Sequence, residues 1–251
     1  MTTVLTHRAD RVGHLTLNRP EALNAITVEL ADALKRALVE LAAEVDVIVV
    51  RGAGGNFSVG GDVKELERLR AQGRDAMAEL FERFRSACAA IGALPVPVVA
   101  AVEGYALAGG FELMLACDVV LVRDDARIGD HHANFGMVPA GGSSQRLPRL
   151  VGRQRALGLL LTGEHLSGAE AAAWGLAYRS APAAGFDDAV EKLAQRLARG
   201  SRAAAARVKS LVREGLERSL EEGLAQEIAA VVEHLSSPTA MERFASRGGT
   251  T

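Results

Sequence analysis

Apolar and polar positions first fall into a clear order at "HLTLNRP" (His14 to Pro20), which alternates like a half-buried strand and stops at a proline. Behind it Leu30, Leu34, Leu38 and Leu41 recur at helical spacing, with Thr27 placed as the N-cap. Two later runs, "VDVIVVRG" (Val45 to Gly52) and "PVPVVAAVEG" (Pro95 to Gly104), are largely apolar, rich in valine and closed by glycine. Such runs suit strands buried on both faces. Between them "DAMAELFERFRSACAAIGAL" carries a helical period. Strand, loop and helix in repeated order predict parallel pairing with crossover helices, and functional loops then fall at the carboxyl ends of strands. After about Leu150 the pattern changes: "RQRALGLLLTGEHLSGAEAAAWGL", "FDDAVEKLAQRLARG", "RAAAARVKSLVREGL" and "LEEGLAQEIAAVVEHL" all read as amphipathic helices. No internal repeat or low-complexity linker separates them from the rest, so this helical part is expected to pack on the first.

Two glycine-rich turns, "GAGGNFSVGGD" and "GYALAGGFE", close the apolar runs. Neither is a dinucleotide fingerprint or a Walker loop, and the chain has no G-x-S-x-G elbow. The serines of "GGSSQ" (Gly141 to Gln145) read as caps of the helix that begins near Gln145. Two separate glycine turns can together present two backbone N–H groups to one oxygen, because glycine lets a ligand approach the backbone closely. Donors fixed in this way stabilise an oxyanion as it develops. Glu112 then follows at the start of an apolar run, "LMLACDVVLV". A carboxylate beside a stabilised enolate can move the proton at the carbon next to a carbonyl, and apolar surroundings raise its pKa toward the useful range.

Composition narrows the field. The chain has 251 residues, 49% of them hydrophobic, enough to bury a sizeable core. A formal net charge of -2 leaves no positive excess to pair with phosphates, so nucleic acid is not expected as a partner. Cys88 and Cys117 lie far apart and outside any C-x-x-C spacing; buried free thiols are expected, and no metal site. The N-terminus lacks the apolar core of a signal peptide and charges interrupt every later apolar run, so no membrane association is expected and the chain is placed in the cytoplasm. Asp62 reads as a helix cap and Asp118 as closing a strand start.

The motifs "LTLNRPEALNAI" (Leu15 to Ile26), "NFSVGGDVKEL" (Asn56 to Leu66), "PVVAAVEGYALAGGFELMLACDVVL" (Pro97 to Leu121), "FGMVPAGGSSQRLPRLVG" (Phe135 to Gly152) and "LTGEHLSGAEAAAWGL" (Leu161 to Leu176) resemble, in order and spacing, the enoyl-CoA hydratase/isomerase, or crotonase, family. The resemblance implies an α/β fold, a spiral of ββα units over residues 1–190, with a C-terminal helical trimerisation region over 191–251 that packs on the core and on neighbouring subunits. A homotrimer or a dimer of trimers follows from it. The ligand class is an acyl-CoA thioester, and no separate cofactor is expected because coenzyme A arrives with the substrate. Carried over by position, the oxyanion donors are the backbone N–H groups of Gly61 and Gly109, and the catalytic glutamate is Glu112. The segments resembling those that hold CoA run through Ala22 and Leu23 and through Val59, Gly61, Asp62, Val63 and Lys64, mainly by backbone groups, with the Lys64 ammonium available to a phosphate. Pro139 and the glycines after it shape the next loop, loop packing around Leu66 to Leu80 and Phe135 selects the acyl chain, and the helices near Phe244 complete a neighbouring subunit's site.

One position departs from that pattern. Typical hydratases of the family carry a second glutamate about twenty residues after the first, in the segment that here reads "IGDHHANFG" (Ile128 to Gly136), and ungapped spacing puts His132 there. Asp130 lies two residues earlier, in reach of the site or of the imidazole. The leading expectation is hydration of a 2-enoyl-CoA, with His132 taking the water proton and Glu112 serving the proton at Cα. The alternatives are double-bond isomerisation by Glu112 alone, hydrolysis of a β-diketone or CoA thioester through His132, and non-catalytic acyl-CoA binding.

Overall fold

The computed structural model describes residues 2–236. Two antiparallel strands, β1 (Val4–Ala9) and β2 (Val12–Leu17), open it. The strand expected from His14 to Pro20 therefore starts earlier and ends at Leu17, and Pro20 opens a short 3-10 turn, Pro20–Ala22, as a residue with fixed φ and no N–H readily does. Helix α1 (Val28–Glu44) buries Leu30, Leu34, Leu38 and Leu41, and the Thr27 side chain accepts from the Leu30 N–H at 3.1 Å. Next come β3 (Val47–Gly52), α2 (Val63–Gln72), α3 (Arg74–Ala93), β4 (Val98–Val102), β5 (Tyr105–Leu107), α4 (Gly109–Ala116), β6 (Val119–Arg123) and β7 (Arg127–Gly129). The chain closes with α5 (Ser143–Thr162), β8 (Leu166–Ser167), α6 (Gly168–Trp174), β9 (Arg179–Ala181), α7 (Phe186–Ala198), α8 (Arg202–Gly215) and α9 (Leu220–Leu235).

The strands form two sheets, one ordered β1-β2-β3-β4-β6-β9 and the other β5-β7-β8. From β2 to β9 every neighbour in the first sheet is parallel. Successive residues of its central strands face opposite cores. Ile48 and Val50 join the cluster built on α1 and α3, whereas Val47, Val49, Val99 and Leu121 meet Phe186, Val190 and Ala194 of α7. That burial on both faces is why these strands read as unbroken valine runs. The second sheet departs at Gly104, and α4 starts directly from β5, so the carboxyl ends of β3 and β5 converge on one site.

The expected long helix over 153–176 is interrupted. Gly163 at φ 66° ends α5, β8 pairs with β7, and a capping box between Ser167 and Glu170 starts α6. Helix α8 returns to the core through Lys209, whose ammonium donates to Asp118 Oδ2 at 2.7 Å and to the carbonyls of Ile91 at 2.6 Å and Val96 at 3.1 Å. Asp118 also accepts from the Val98 N–H at 2.8 Å, the structural closure expected of it. Among the described residues no helix is long and apolar enough to cross a membrane. Phe244 lies outside the described residues.

Candidate active site

Helix α4 has no side-chain cap, and Ala108 before it adopts φ 48°, ψ -120°, a region that residues with a Cβ seldom hold. The Ala108 N–H donates to the Gly129 carbonyl at 3.1 Å, which ties this turn to β7. As the first residue of the helix, Gly109 carries an N–H that the helix cannot pair. The other glycine turn lies alongside. The Ser58 N–H donates to the Tyr105 carbonyl and the Leu107 N–H to the Ser58 carbonyl, so residues around Ser58 extend the second sheet. Gly61 then bridges Ile26 in parallel, through the Ile26 N–H to the Gly60 carbonyl at 2.7 Å and the Asp62 N–H to the Ile26 carbonyl at 2.9 Å. That pattern turns the N–H of Gly61 itself away from Ile26. The two turns touch: a Cβ on Gly60, whose φ is +96°, would stand 2.8 Å from the Gly109 nitrogen. Only glycine fits there.

Asn24 fixes the first turn from beneath. It is fully buried, accepts from the Arg19 N–H at 2.9 Å and donates to the carbonyls of Ala53 at 2.9 Å and Asn56 at 2.7 Å. The Ser58 hydroxyl donates to the Asn24 carbonyl at 2.8 Å and accepts from the Gly60 N–H at 3.2 Å. Asp62 caps α2 by accepting from the Glu65 N–H at 3.1 Å, and pairs with Arg19 at 2.9 Å. Burial works against its charge, but the Glu65 N–H and the Arg19 guanidinium outweigh it and hold the pKa below the ordinary carboxylate value. The Val59 N–H donates to the Leu23 carbonyl at 3.2 Å, which brings the two expected CoA-holding segments together. Leu23, Gly61, Val63 and Lys64 are exposed along this rim, with Ala22, Val59 and Asp62 half-buried.

Glu112 sits one turn into α4 and is 2% exposed. Its Oε1 accepts from the Gly141 N–H at 2.6 Å and the Ser143 N–H at 3.1 Å. A Cβ on Gly141 would meet Glu112 Oε2 at 2.7 Å and the Phe84 ring at 2.4 Å, so a glycine there lets the backbone close on the carboxylate. Desolvation raises the Glu112 pKa, against the lowering effects of the Ser143 N–H, His132 and the Gly141 N–H. The serines of "GGSSQ" therefore do something other than cap. Helix α5 starts at Ser143 without a side-chain cap, because its N-cap residue is Gly142, and the Ser143 N–H is given to Glu112; the Ser143 hydroxyl is buried without a partner among the described residues. Arg146 donates to the Gly141 carbonyl at 2.6 Å and steadies the same loop.

His132 opens a 3-10 turn, His132–Phe135, that leaves the end of β7. Its Nδ1 lies 2.9 Å from Oδ1 of Asp130, the two side chains being 11% and 1% exposed. Burial pulls the imidazole pKa down, but the Asp130 hydrogen bond and charge, followed by the Glu112 charge, outweigh it and leave the pKa raised. Glu112 and His132 thus feel each other's charge inside one site. Cys88 and Cys117 are free, and burial pushes the Cys88 thiol up to about 12, so it is inert in the neutral range.

The sequence profile of the family described as "Enoyl-CoA hydratase/isomerase" matches residues 7–248. The chain belongs to the enoyl-CoA hydratase/isomerase family. Within it, the chain is 37% identical over 228 residues to the probable enoyl-CoA hydratase echA8 of Mycobacterium tuberculosis, covering 90% of this chain and 86% of that protein. It is 35% identical over 233 residues to the 2,3-dehydroadipyl-CoA hydratase of Escherichia coli K12, covering 90% and 88%. An enoyl-CoA hydratase from Polaromonas sp. JS666 superposes with a TM-score of 0.94 at 30% identity over 98% of this chain and 96% of that one. The crotonase fold expected from the motifs is therefore the fold observed. Family motifs pointed to Glu112, Gly61, Gly109 and the rim residues, and the structure brings all of them to one region. Asn24, Gly141, Ser143 and Arg146 also lie inside the family motifs, but the roles they take here do not show in the sequence, since each works through a backbone group or on one. A polar residue inside "NRPEALNAI", next to apolar Ala25 and Ile26, was the one available hint for Asn24.

Proposed function

We propose that this chain hydrates a 2-enoyl-CoA, adding water across the double bond through a thioester enolate. The observation that carries the reading is a buried carboxylate, Glu112, in the helix whose first N–H, that of Gly109, is unpaired by the helix, together with a half-buried imidazole, His132, whose charge acts on that carboxylate. Similarity to proteins named as hydratases supports it. In this reading the Gly61 and Gly109 N–H groups hold the thioester oxygen as negative charge gathers there. Glu112 and His132 divide two proton transfers. One leaves the water as its oxygen joins Cβ, and the other reaches Cα as the enolate collapses. Burial raises the Glu112 pKa, and the Asp130 carboxylate outweighs burial to raise that of His132, so each holds its proton more firmly than the free side chain does. Coenzyme A lies along the rim of Ala22, Leu23 and Val59 to Lys64, held mainly by backbone groups, and no separate cofactor takes part.

Isomerisation is the second reading, because it needs only one proton carrier and Glu112 is intact. One panel decides: purified protein against short and long 2-enoyl-CoAs and 3-enoyl-CoAs, with products separated. Hydration predicts a 3-hydroxyacyl-CoA product, and His132→Ala then loses hydration at least about a hundredfold while any 3-enoyl to 2-enoyl conversion survives. A parent enzyme that isomerises but never hydrates sinks the proposal. Exchange of the Cα hydrogen with deuterated water in the Glu112 and His132 variants assigns each proton to its carrier. The same reading puts the protein in the cytoplasm, with the described helices from residue 191 onward as part of the region that joins subunits into a trimer or a dimer of trimers.

A further inference from the structure

Three aspartates lie close to the site or to the helices around it, and two have ordinary structural work. Asp62 caps α2 and pairs with Arg19, and Asp118 closes β4 and pairs with Lys209. Asp130 has neither. It is 1% exposed, and the His132 ring is the single hydrogen-bond partner of its side chain among the described residues; Oδ2 is buried with none. Burying a carboxylate with so few partners costs free energy that packing alone does not return. The local chain is shaped to produce this contact. His131, between the two, adopts φ 61° and so folds its neighbours toward each other, while the Met137 N–H to the His132 carbonyl at 3.1 Å and the Asn134 side chain on His131 at 2.8 Å hold the turn closed.

We propose that Asp130 is a positioning residue: its carboxylate fixes the His132 ring in one orientation and one tautomer, with the proton on Nδ1 and the Nε2 lone pair directed to the reacting water. The proposal rests on the reading of His132 as a proton carrier. A carboxylate oxygen can only accept, so at 2.9 Å the Nδ1 position must donate, and Nε2 is left as the base.

The charged groups facing the ring are Asp130 from the end of β7 and Glu112 from α4, and both favour the imidazolium. Helix α5 packs on the turn, but its Arg146, Arg149 and Arg155 are directed to the Gly141 carbonyl, the Gln145 carbonyl and the Trp174 ring. His131 faces His165 with ring centroids 4.7 Å apart. Removing the Asp130 charge therefore lowers the pKa of His132 and, because Asp130 also raises Glu112, that of the carboxyl as well. The first change moves the acidic limb of the rate profile, set by the base His132, to lower pH; the second moves the alkaline limb, set by the acid Glu112, in the same direction.

The test uses the full-length chain, Asp130→Asn and a short 2-enoyl-CoA. Expected are a fall in kcat for hydration of at least about tenfold, KM within about twofold, and an acidic limb displaced to lower pH, with the fold retained. Nitrogen-15 spectra of the imidazoles, with His132→Ala to assign the ring, are expected to show Nδ1 protonated in the parent at high pH. An unchanged kcat together with an unmoved acidic limb overturns the proposal, and so does a parent ring protonated on Nε2. The spectra decide the tautomer even if Asp130→Asn folds poorly or the parent proves not to hydrate. In that last case the hydration reading falls by itself.

Discussion

Glu112 brings stability and chemistry into conflict at one side chain. Because burial raises its pKa, the native state holds the proton more tightly than the unfolded chain does. Its contribution to stability is then fully present below the ordinary carboxylate range and is lost as pH rises through the native value. Glu112→Gln keeps an oxygen for the Gly141 and Ser143 N–H groups but removes the buried charge. The variant is expected to lose turnover by about two to four orders of magnitude while still binding a CoA thioester. Its thermal midpoint at pH 8 should exceed the parent's by a few degrees, roughly as a small gain in free energy would give, and the gap should close toward pH 4. Calorimetry over that range reads the sign directly; a parent more stable than the variant at pH 8 would mean that the two N–H bonds outweigh desolvation.

At the scale of elements, the start of α4 and the docking of α8 each rest on few contacts. Gly109→Pro removes the proposed oxyanion donor, so kcat should drop by about a hundredfold or more; circular dichroism checks the fold, since the proline also constrains Ala108 before it, which holds φ 48°. Gly109→Ala is the control: it keeps the N–H but must displace the Ile26 side-chain tip, which stands 2.8 Å from the added Cβ. Equal kcat in the proline variant and the parent removes Gly109 from the mechanism. For α8, Lys209→Met takes the cation from Asp118, whose side chain is 21% exposed, and the donor from the Ile91 and Val96 carbonyls; this should cost about 1–3 kcal/mol in a denaturant titration, part of which Asp118→Asn restores. The legible elements were the long ones. Leu30 to Leu41 and the valine runs of β3 and β4 carry enough periodicity to stand alone, whereas β5, β7, β8 and β9 are two or three residues each and exist through pairing with distant segments. Likewise the motif order pointed to Glu112 and ungapped spacing to His132, but the cradle around Glu112 is backbone from 29 and 31 residues further on, and backbone donors leave no mark on side-chain pattern.

At the scale of the whole molecule, the described residues present an apolar stripe open to solvent. Val208, Val212 and Leu216 on and after α8, then Leu220, Leu224, Ile228 and Val232 of α9, recur every fourth residue and are between 50% and 80% exposed. A stripe of that extent on the helices of a folded domain fits contact with another copy of the chain. Ile228→Glu combined with Leu224→Glu is expected to convert the assembly to monomers in light scattering at micromolar concentration, with the core's circular dichroism retained. A parent that is itself monomeric under the same conditions would refute subunit assembly through this face. The pattern was visible in the sequence as amphipathic helices, yet their direction was not, since α7 turns its apolar side to the main sheet and α9 to solvent.

The meeting of the two glycine turns also makes the protein readable by spectroscopy. Amides that lack a strong acceptor resonate apart from those in helices and sheets, and glycine nitrogens occupy their own region of a proton–nitrogen correlation map. Gly61 and Gly109 should therefore supply two separate cross-peaks that travel together when a thioester analogue is titrated in, even one that cannot react. Such a titration would rank acyl groups by how firmly each seats its carbonyl oxygen, ahead of any assay for product.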